Sequence, residues 1–201
     1  MPHGSPFGQG NRLKSGQNLT GLTGLSRIRV EILGNPFSII TSYLLGPIMK
    51  IAIIGWGSVV WNPRDLPFTG KWEISDLMLP IEFSRKSNDG RLTLVVDFEK
   101  GMQLQVYVAQ STRNDLVDAV ADLRDREKTI LARIGFFEKP NDRASEAREH
   151  DNESEKKAHT KVAELVRPWI KNTDFDAAVW TALASNYEKE LEAAFSAPHA
   201  I

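Results

Sequence analysis

Ile51-Ala52-Ile53-Ile54-Gly55-Trp56-Gly57-Ser58-Val59-Val60-Trp61-Asn62-Pro63 is the stretch that decides how this chain is read. An apolar run of strand type breaks into Gly-X-Gly-Ser and closes on Asn-Pro. Two glycines directly after a buried strand let the backbone turn tightly and approach a ligand, with amide N–H groups free to face it. A dinucleotide fingerprint needs a third glycine or alanine at the start of a helix. Here Val60 holds that place, bulky Trp61 follows, and Pro63 arrives before a helix is expected to form. No acid stands where the ribose would need one, at the end of a helix-linked second strand. The stretch reads as a ligand-facing loop and not as a dinucleotide site.

With 201 residues, 41% of them apolar, the chain can bury one good core, so a single domain is the expectation. A formal net charge of -1 gives no electrostatic case for nucleic acid. The absence of cysteine excludes a disulfide framework and a thiolate metal site. His3, His150, His159 and His199 are scattered without ligand-spaced partners, so no metal is expected. Residues 1–48 differ from the rest. Met1 to Ser26 is rich in Gly, Ser, Asn and Thr, a composition that disfavours a packed core. The apolar patch Phe37-Ser-Ile-Ile-Thr-Ser-Tyr-Leu-Leu-Gly46 falls far short of the ~20 residues that cross a bilayer. Arg27 and Arg29 precede it, but Glu31, Asn35 and Pro36 interrupt a signal-peptide pattern. Met49-Lys50-Ile51 looks like a natural translation start followed at once by the first strand. The expected organisation is a disordered or non-native extension over 1–48 and one cytoplasmic domain over 49–201, with no membrane partner.

From Ile51 the chain reads as strands first and helices later. Leu77 to Arg85 alternates, placing Leu79, Ile81, Phe83 and Arg85 on one face. Asn88-Asp89-Gly90 marks a turn, and Leu92 to Phe98 returns as the partner strand. A third strand spans Leu104 to Ala109. Ser111 and Thr112 are the expected cap of a helix running to about Lys128, with Asp115 completing a variant of the capping box. Phe136 and Phe137 suggest a short strand before Pro140. The charge-dense stretch from Asn141 to Lys157 reads as a solvated loop entering a helix. Ala158, Val162, Leu165 and Trp169 then recur at helical spacing, with an end expected near Pro168. Asp176 to Leu183 reads as a last buried strand, and Ser185 with Glu188 caps a final helix through Leu191 and Phe195. The sum is a compact α+β domain with a mixed, curved sheet.

Within that frame Glu127 is the sharpest candidate for chemistry. The core stripe of its helix is Leu116, Val120 and Leu123, and the next step of the pattern falls on Glu127. A carboxylate there, at the unfavourable end of the helix dipole, would be a stronger base than a solvated one. The alternative is a helix frayed by residue 126, with Glu127 a surface acid beside Arg124 and Lys128. Arg85 follows Leu79, Ile81 and Phe83 on the inward face, where a charge needs an internal partner or an anionic ligand. Alternatively the strand has ended and Arg85 opens the turn. Glu82 falls on the opposite face, towards solvent. Trp180 is either core or pocket lining. Arg124 and Arg126 either attract an acidic substrate or simply solvate a helix end, and the Glu/Lys-rich 146–161 segment reads as a solvated face.

Gly55-Trp56-Gly57-Ser58-Val59-Val60-Trp61-Asn62-Pro63 resembles the Gly-Tyr-Gly-Ser-Leu-(Ile/Val)-Trp-(Asn/Asp)-Pro signature that opens the γ-glutamylcyclotransferase-like superfamily, especially its ChaC-type glutathione-cleaving branch. Arg126-Glu127, after the strand Val106-Tyr107-Val108 and the helix Leu116–Leu123, is similar to the Arg-Glu pair in which these families carry their catalytic glutamate. Phe83-Ser84-Arg85 is similar to their Tyr/Phe-Ser/His-Arg segment. The resemblance covers most of residues 50–183. It implies a γ-glutamylcyclotransferase-like fold, a small curved mixed sheet or barrel with packed helices. It also implies release of 5-oxoproline from a γ-glutamyl amine or peptide, a small-molecule substrate, without cofactor or metal. Glu127 would be the general base, and Gly55, Trp56, Gly57, Ser58 and Arg85 would bind the substrate. Trp56 departs from the pattern: a tyrosine hydroxyl that donates and accepts becomes an indole that only donates. Lys128-Thr129 stands where a glycine more often follows the glutamate. These departures leave a second expectation, a non-catalytic relative that binds a small anionic metabolite or a protein.

Overall fold

The computed structural model describes residues 48–149 and 151–187. The extension up to residue 47 and the final helix expected through Leu191 and Phe195 lie outside the described residues. The strands are β1 Ile51–Gly55, β2 Phe68–Lys86, β3 Leu92–Val96, β4 Met102–Ser111, β5 Ile134–Glu138, β6 Arg143–Ala144 and β7 Ala177–Thr181. They form one sheet in the order β3-β2-β4-β1-β7-β5-β6. Among the described residues three α-helices accompany it, the single turn α1 Ser58–Trp61, then α2 Leu116–Glu127 and α3 Glu153–Lys171, with a short 3-10 turn at Leu131–Arg133. β1 pairs parallel with β7 and antiparallel with β4, so the sheet is mixed and the fold is α+β. No pairing between β3 and β6 closes this order into a barrel among the described residues. No described helix is long and apolar enough to cross a membrane.

Alternation along β1 builds two cores. Ile51 and Ile53 face α2 and pack with Leu116, Ala119 and Leu123. Ala52 and Ile54 face α3 and pack with Val162, Val166 and Ile170. β7 keeps step, with Ala177 and Val179 on the α2 side and Ala178 and Trp180 on the α3 side. Covered on both faces, these two strands read as continuous apolar runs. Trp180 is fully buried and donates its indole N–H to the Ala158 carbonyl at 3.1 Å, which makes it core.

Several boundaries differ from the sequence reading, each for a local reason. β2 begins at Phe68, well before Leu77, because its first half follows β4 through two register shifts that no simple alternation reports. Asp115, not Ser111 or Thr112, caps α2, accepting from the Val117 amide at 2.8 Å. Ser111 ends β4 and instead accepts from the Arg113 amide at 3.0 Å. α3 continues through Pro168 to Lys171. The carbonyl that Pro168 cannot satisfy belongs to Glu164, and both residues lie on the exposed side of the helix, where losing one backbone bond costs least. The buried stripe of α3 includes Ala158, Val162, Val166 and Ile170, whereas Leu165 is exposed.

The stretch from Asn141 to Lys157 is not uniformly solvated, since Ser145 and Asp151 are buried beside α3. Ser145 Oγ lies 3.0 Å from His159 Nδ1, and His159 Nε2 lies 3.1 Å from the Ala132 carbonyl. A carbonyl only accepts, so Nε2 carries the proton and Nδ1 accepts from the Ser145 hydroxyl. Burial pushes the His159 pKa below the ordinary histidine value; the Ala132 carbonyl and Asp151 oppose this, while Arg133 and Arg148 add to it. A histidine held neutral by the fold contributes fully above its unfolded pKa of about 6.5. That contribution is lost as pH falls from there towards the lower folded value. Melting temperature should therefore drop between about pH 7 and pH 5, and drop less steeply in His159→Gln. Parallel pH profiles for the two proteins would contradict this.

Candidate active site

The carboxyl ends of the parallel pair β1 and β7 lie side by side, and α2 ends against them. A cleft of about 540 Å³ opens there. Trp56, Gly57 and Ser58 line it from the loop after β1, Phe83 and Arg85 from β2, Leu94 from β3, Glu127 from α2 and Thr181 from β7.

Gly57 makes the turn out of β1 with φ 55° and ψ -137°, backbone that L side chains rarely adopt. The chain then closes α1, with the Asn62 amide donating to the Ser58 carbonyl at 3.0 Å. The sequence gives no reason to expect a helix before Pro63. A single turn forms because proline forbids continuation, not the turn that precedes it. The mixed sheet around it is not the doubly wound parallel one that a dinucleotide site requires. Gly55 is buried at the strand end, and a Cβ there would meet the Trp72 ring at 2.7 Å, so it shapes the loop without lining the cleft. The Trp56 indole donates to the Leu94 carbonyl at 3.2 Å and ties the loop to β3. Gly57→Ala should cost about 1–3 kcal/mol from backbone strain alone. Its added Cβ would also press on Leu94 Cδ1 at 3.2 Å. An unchanged melting temperature would contradict this account of the loop.

Leu94 lies where the pairing of β2 with β3 shifts register between Glu82 and Arg85. That irregularity overturns the expected face. Ser84 is fully buried and Phe83 is exposed, so Phe83 does not continue the inward row of Leu79 and Ile81. Arg85 is half-buried on the cleft wall, where its Nη1 donates to the Ala184 carbonyl at 2.9 Å.

α2 does not fray before its end. It extends through Glu127, and Lys128 terminates it in the left-handed conformation at φ 51° and ψ 48°. The Glu127 side chain is only 14% exposed. Its Oε1 accepts from Arg126 Nη1 at 2.9 Å and from Thr181 Oγ1 at 3.3 Å. Both hydrogen bonds of the carboxylate among the described residues therefore fall on one oxygen. Arg126 is neither a solvated charge nor a lure at the rim. Its side chain is 4% exposed, and Nη2 donates to the carbonyls of Ser58 and Asn62. Arg64 Nη1 in turn donates to the Arg126 carbonyl at 3.0 Å. Burial pulls the Arg126 pKa below the usual arginine value; Glu127 opposes this and Arg64 adds to it.

No family model, curated protein or solved structure matches this chain. Of the residues singled out in the sequence, Trp56, Gly57, Ser58, Arg85 and Glu127 meet in that cleft, and Gly55 stands behind it. Thr181 and Arg64 are additions, and Arg126, expected as a lure for an acidic substrate or a solvated charge, is a buried part of the wall. A signal for Arg126 exists: Leu116, Ala119 and Leu123 are buried at spacings that continue onto residue 126, a stripe interleaved with the one that reaches Glu127. The lining sets Arg64, Arg85, Arg91, Arg126 and Lys128 against Asp89 and Glu127, so its net charge is positive. No group of three or more His, Asp or Glu side chains among the described residues is arranged to hold a metal ion.

Proposed function

We propose that this chain is a γ-glutamylcyclotransferase-like enzyme that releases 5-oxoproline from a γ-glutamyl amine or peptide, on the fold of that superfamily. The observation that carries the reading is Glu127, a largely buried carboxylate lining the same cleft as a glycine-bounded loop, with both of its hydrogen bonds among the described residues on Oε1. Oε2 is then the oxygen left to take a proton. In the proposed step the substrate's α-ammonium gives a proton to Glu127, and the freed nitrogen bonds to the γ-carbonyl carbon. The bond from that carbon to the leaving amine breaks as the attacking nitrogen passes on a second proton, and Glu127 returns the first, so that the amine leaves protonated and the lactam nitrogen keeps one hydrogen. The amides of Gly57 and Ser58 are the proposed donors to the transient oxyanion, and Arg85 the proposed partner of the substrate carboxylate. The balance of this step calls for no cofactor. The positive lining favours substrates whose leaving group is itself anionic.

One observation favours the other reading, a non-catalytic relative that binds a small anionic metabolite. The Trp56 N–H is already engaged by Leu94, so the residue that replaces the family's tyrosine offers the ligand only ring surface. Incubation with a panel of γ-glutamyl peptides and amines, with detection of 5-oxoproline, separates the two. Turnover supports the enzyme. Saturable binding of the same compounds with no 5-oxoproline supports the binder.

A further inference from the structure

Arg126 joins two parts of the cleft that share no backbone. One end of its guanidinium, Nη2, donates to the Ser58 and Asn62 carbonyls and lies 3.2 Å from Ser58 Oγ. The other end, Nη1, donates to Glu127 Oε1. The group is planar, so fixing α1 at one end fixes the carboxylate at the other. Arg64 closes the loop in the reverse direction, from the segment after α1 to the Arg126 carbonyl in the last turn of α2. This arrangement is expensive for mere packing. The charge is desolvated, and Nε is buried without a hydrogen-bond partner. Apolar residues of similar volume often stabilise as well as a buried ion pair does.

We infer that Arg126 is a positioning residue: it holds the loop that carries Gly57 and Ser58 in register with the Glu127 carboxylate, and it holds that carboxylate by Oε1 so that Oε2 faces the cleft. The inference rests on the cyclotransferase reading for its consequence in turnover, but not for the clamp itself. Lysine can replace the charge but not the fork, since a single ammonium cannot bridge both ends in one plane.

The test is Arg126→Lys, read in two ways. The Asn62 amide, which donates to the Ser58 carbonyl, should exchange its hydrogen at least ~10-fold faster than in the wild type, because α1 loses its anchor. On whichever γ-glutamyl compound the wild type turns over, kcat should fall ~10- to 10²-fold with KM within about threefold, the pattern of a misplaced catalytic group. Faster exchange in Arg126→Lys, together with a wild type that turns over no γ-glutamyl compound, would leave the clamp standing and sink the cyclotransferase reading. Exchange at the wild-type rate, or an active wild type whose kcat survives the substitution, would overturn the inference. If Arg126→Lys does not fold, the wild type alone decides. A clamped guanidinium gives separate, slowly exchanging Nη–H resonances, whereas one averaged signal from a freely rotating group would overturn the clamp.

Discussion

Glu127→Gln should lower turnover of γ-glutamyl compounds by at least ~10²-fold, the usual scale for removal of a general base. Glutamine keeps the shape of the side chain, and its amide oxygen still accepts from Arg126 and Thr181, so the pocket should persist. What disappears is the oxygen that takes the substrate's proton. The sequence alone suggests that the variant could gain stability by relieving an unfavourable charge. The ion pair with Arg126 removes that expectation, because the carboxylate already has its countercharge. Exchanging a charge-assisted hydrogen bond for a neutral one should instead cost about 1 kcal/mol. That corresponds to about 2–4 °C in melting temperature for a chain of this size. An active Glu127→Gln protein would remove Glu127 from the mechanism, whatever its stability.

A large effect on stability is expected beside the cleft wall, at Gly135. This residue pairs with Trp180 across β5 and β7. A Cβ at Gly135 would fall well inside contact distance of Trp180 Cε2 and Nε1. The ring cannot swing away. It is fully buried, its N–H is held by the Ala158 carbonyl, and α3 closes over it. Gly135→Ala should therefore cost about 3 kcal/mol, the upper end for overpacking a core. Melting temperature should fall by about 6–12 °C. Adding Trp180→Phe, with a smaller ring and no N–H, should recover part of the loss if the clash is the cause. A single variant that melts within a degree or two of the wild type would show that β5 and β7 separate more easily than this packing allows.

These contrasts show where the sequence carried information. The run Ile51–Ile54 is legible because both faces of β1 are covered, and the β2–β3 hairpin because Asn88-Asp89-Gly90 supplies the turn, with Gly90 at φ 83°. Glu127 is legible because a carboxylate interrupts an apolar stripe. The face of Phe83 and Arg85 is not, since one register shift inverts every side chain beyond it and leaves no mark on hydrophobic alternation. The role of Arg126 is hidden for a different reason. The stripe of Leu116, Ala119 and Leu123 points to its burial, but its partners Ser58 and Asn62 are distant in sequence and no spacing reports them. α1 escapes notice because four residues are too few for a periodicity to register.

The central claim is that the substrate's own nitrogen, released by Glu127, attacks its γ-carbonyl. The most direct measurement is the identity of the product when γ-glutamyl peptides are incubated with the wild-type protein in water labelled with heavy oxygen. Intramolecular attack yields 5-oxoproline without the label, together with an equal amount of the free amine. Labelled glutamate would mean that water is the nucleophile, and no product from any γ-glutamyl compound would mean that the cleft binds without cyclising; either would contradict the account.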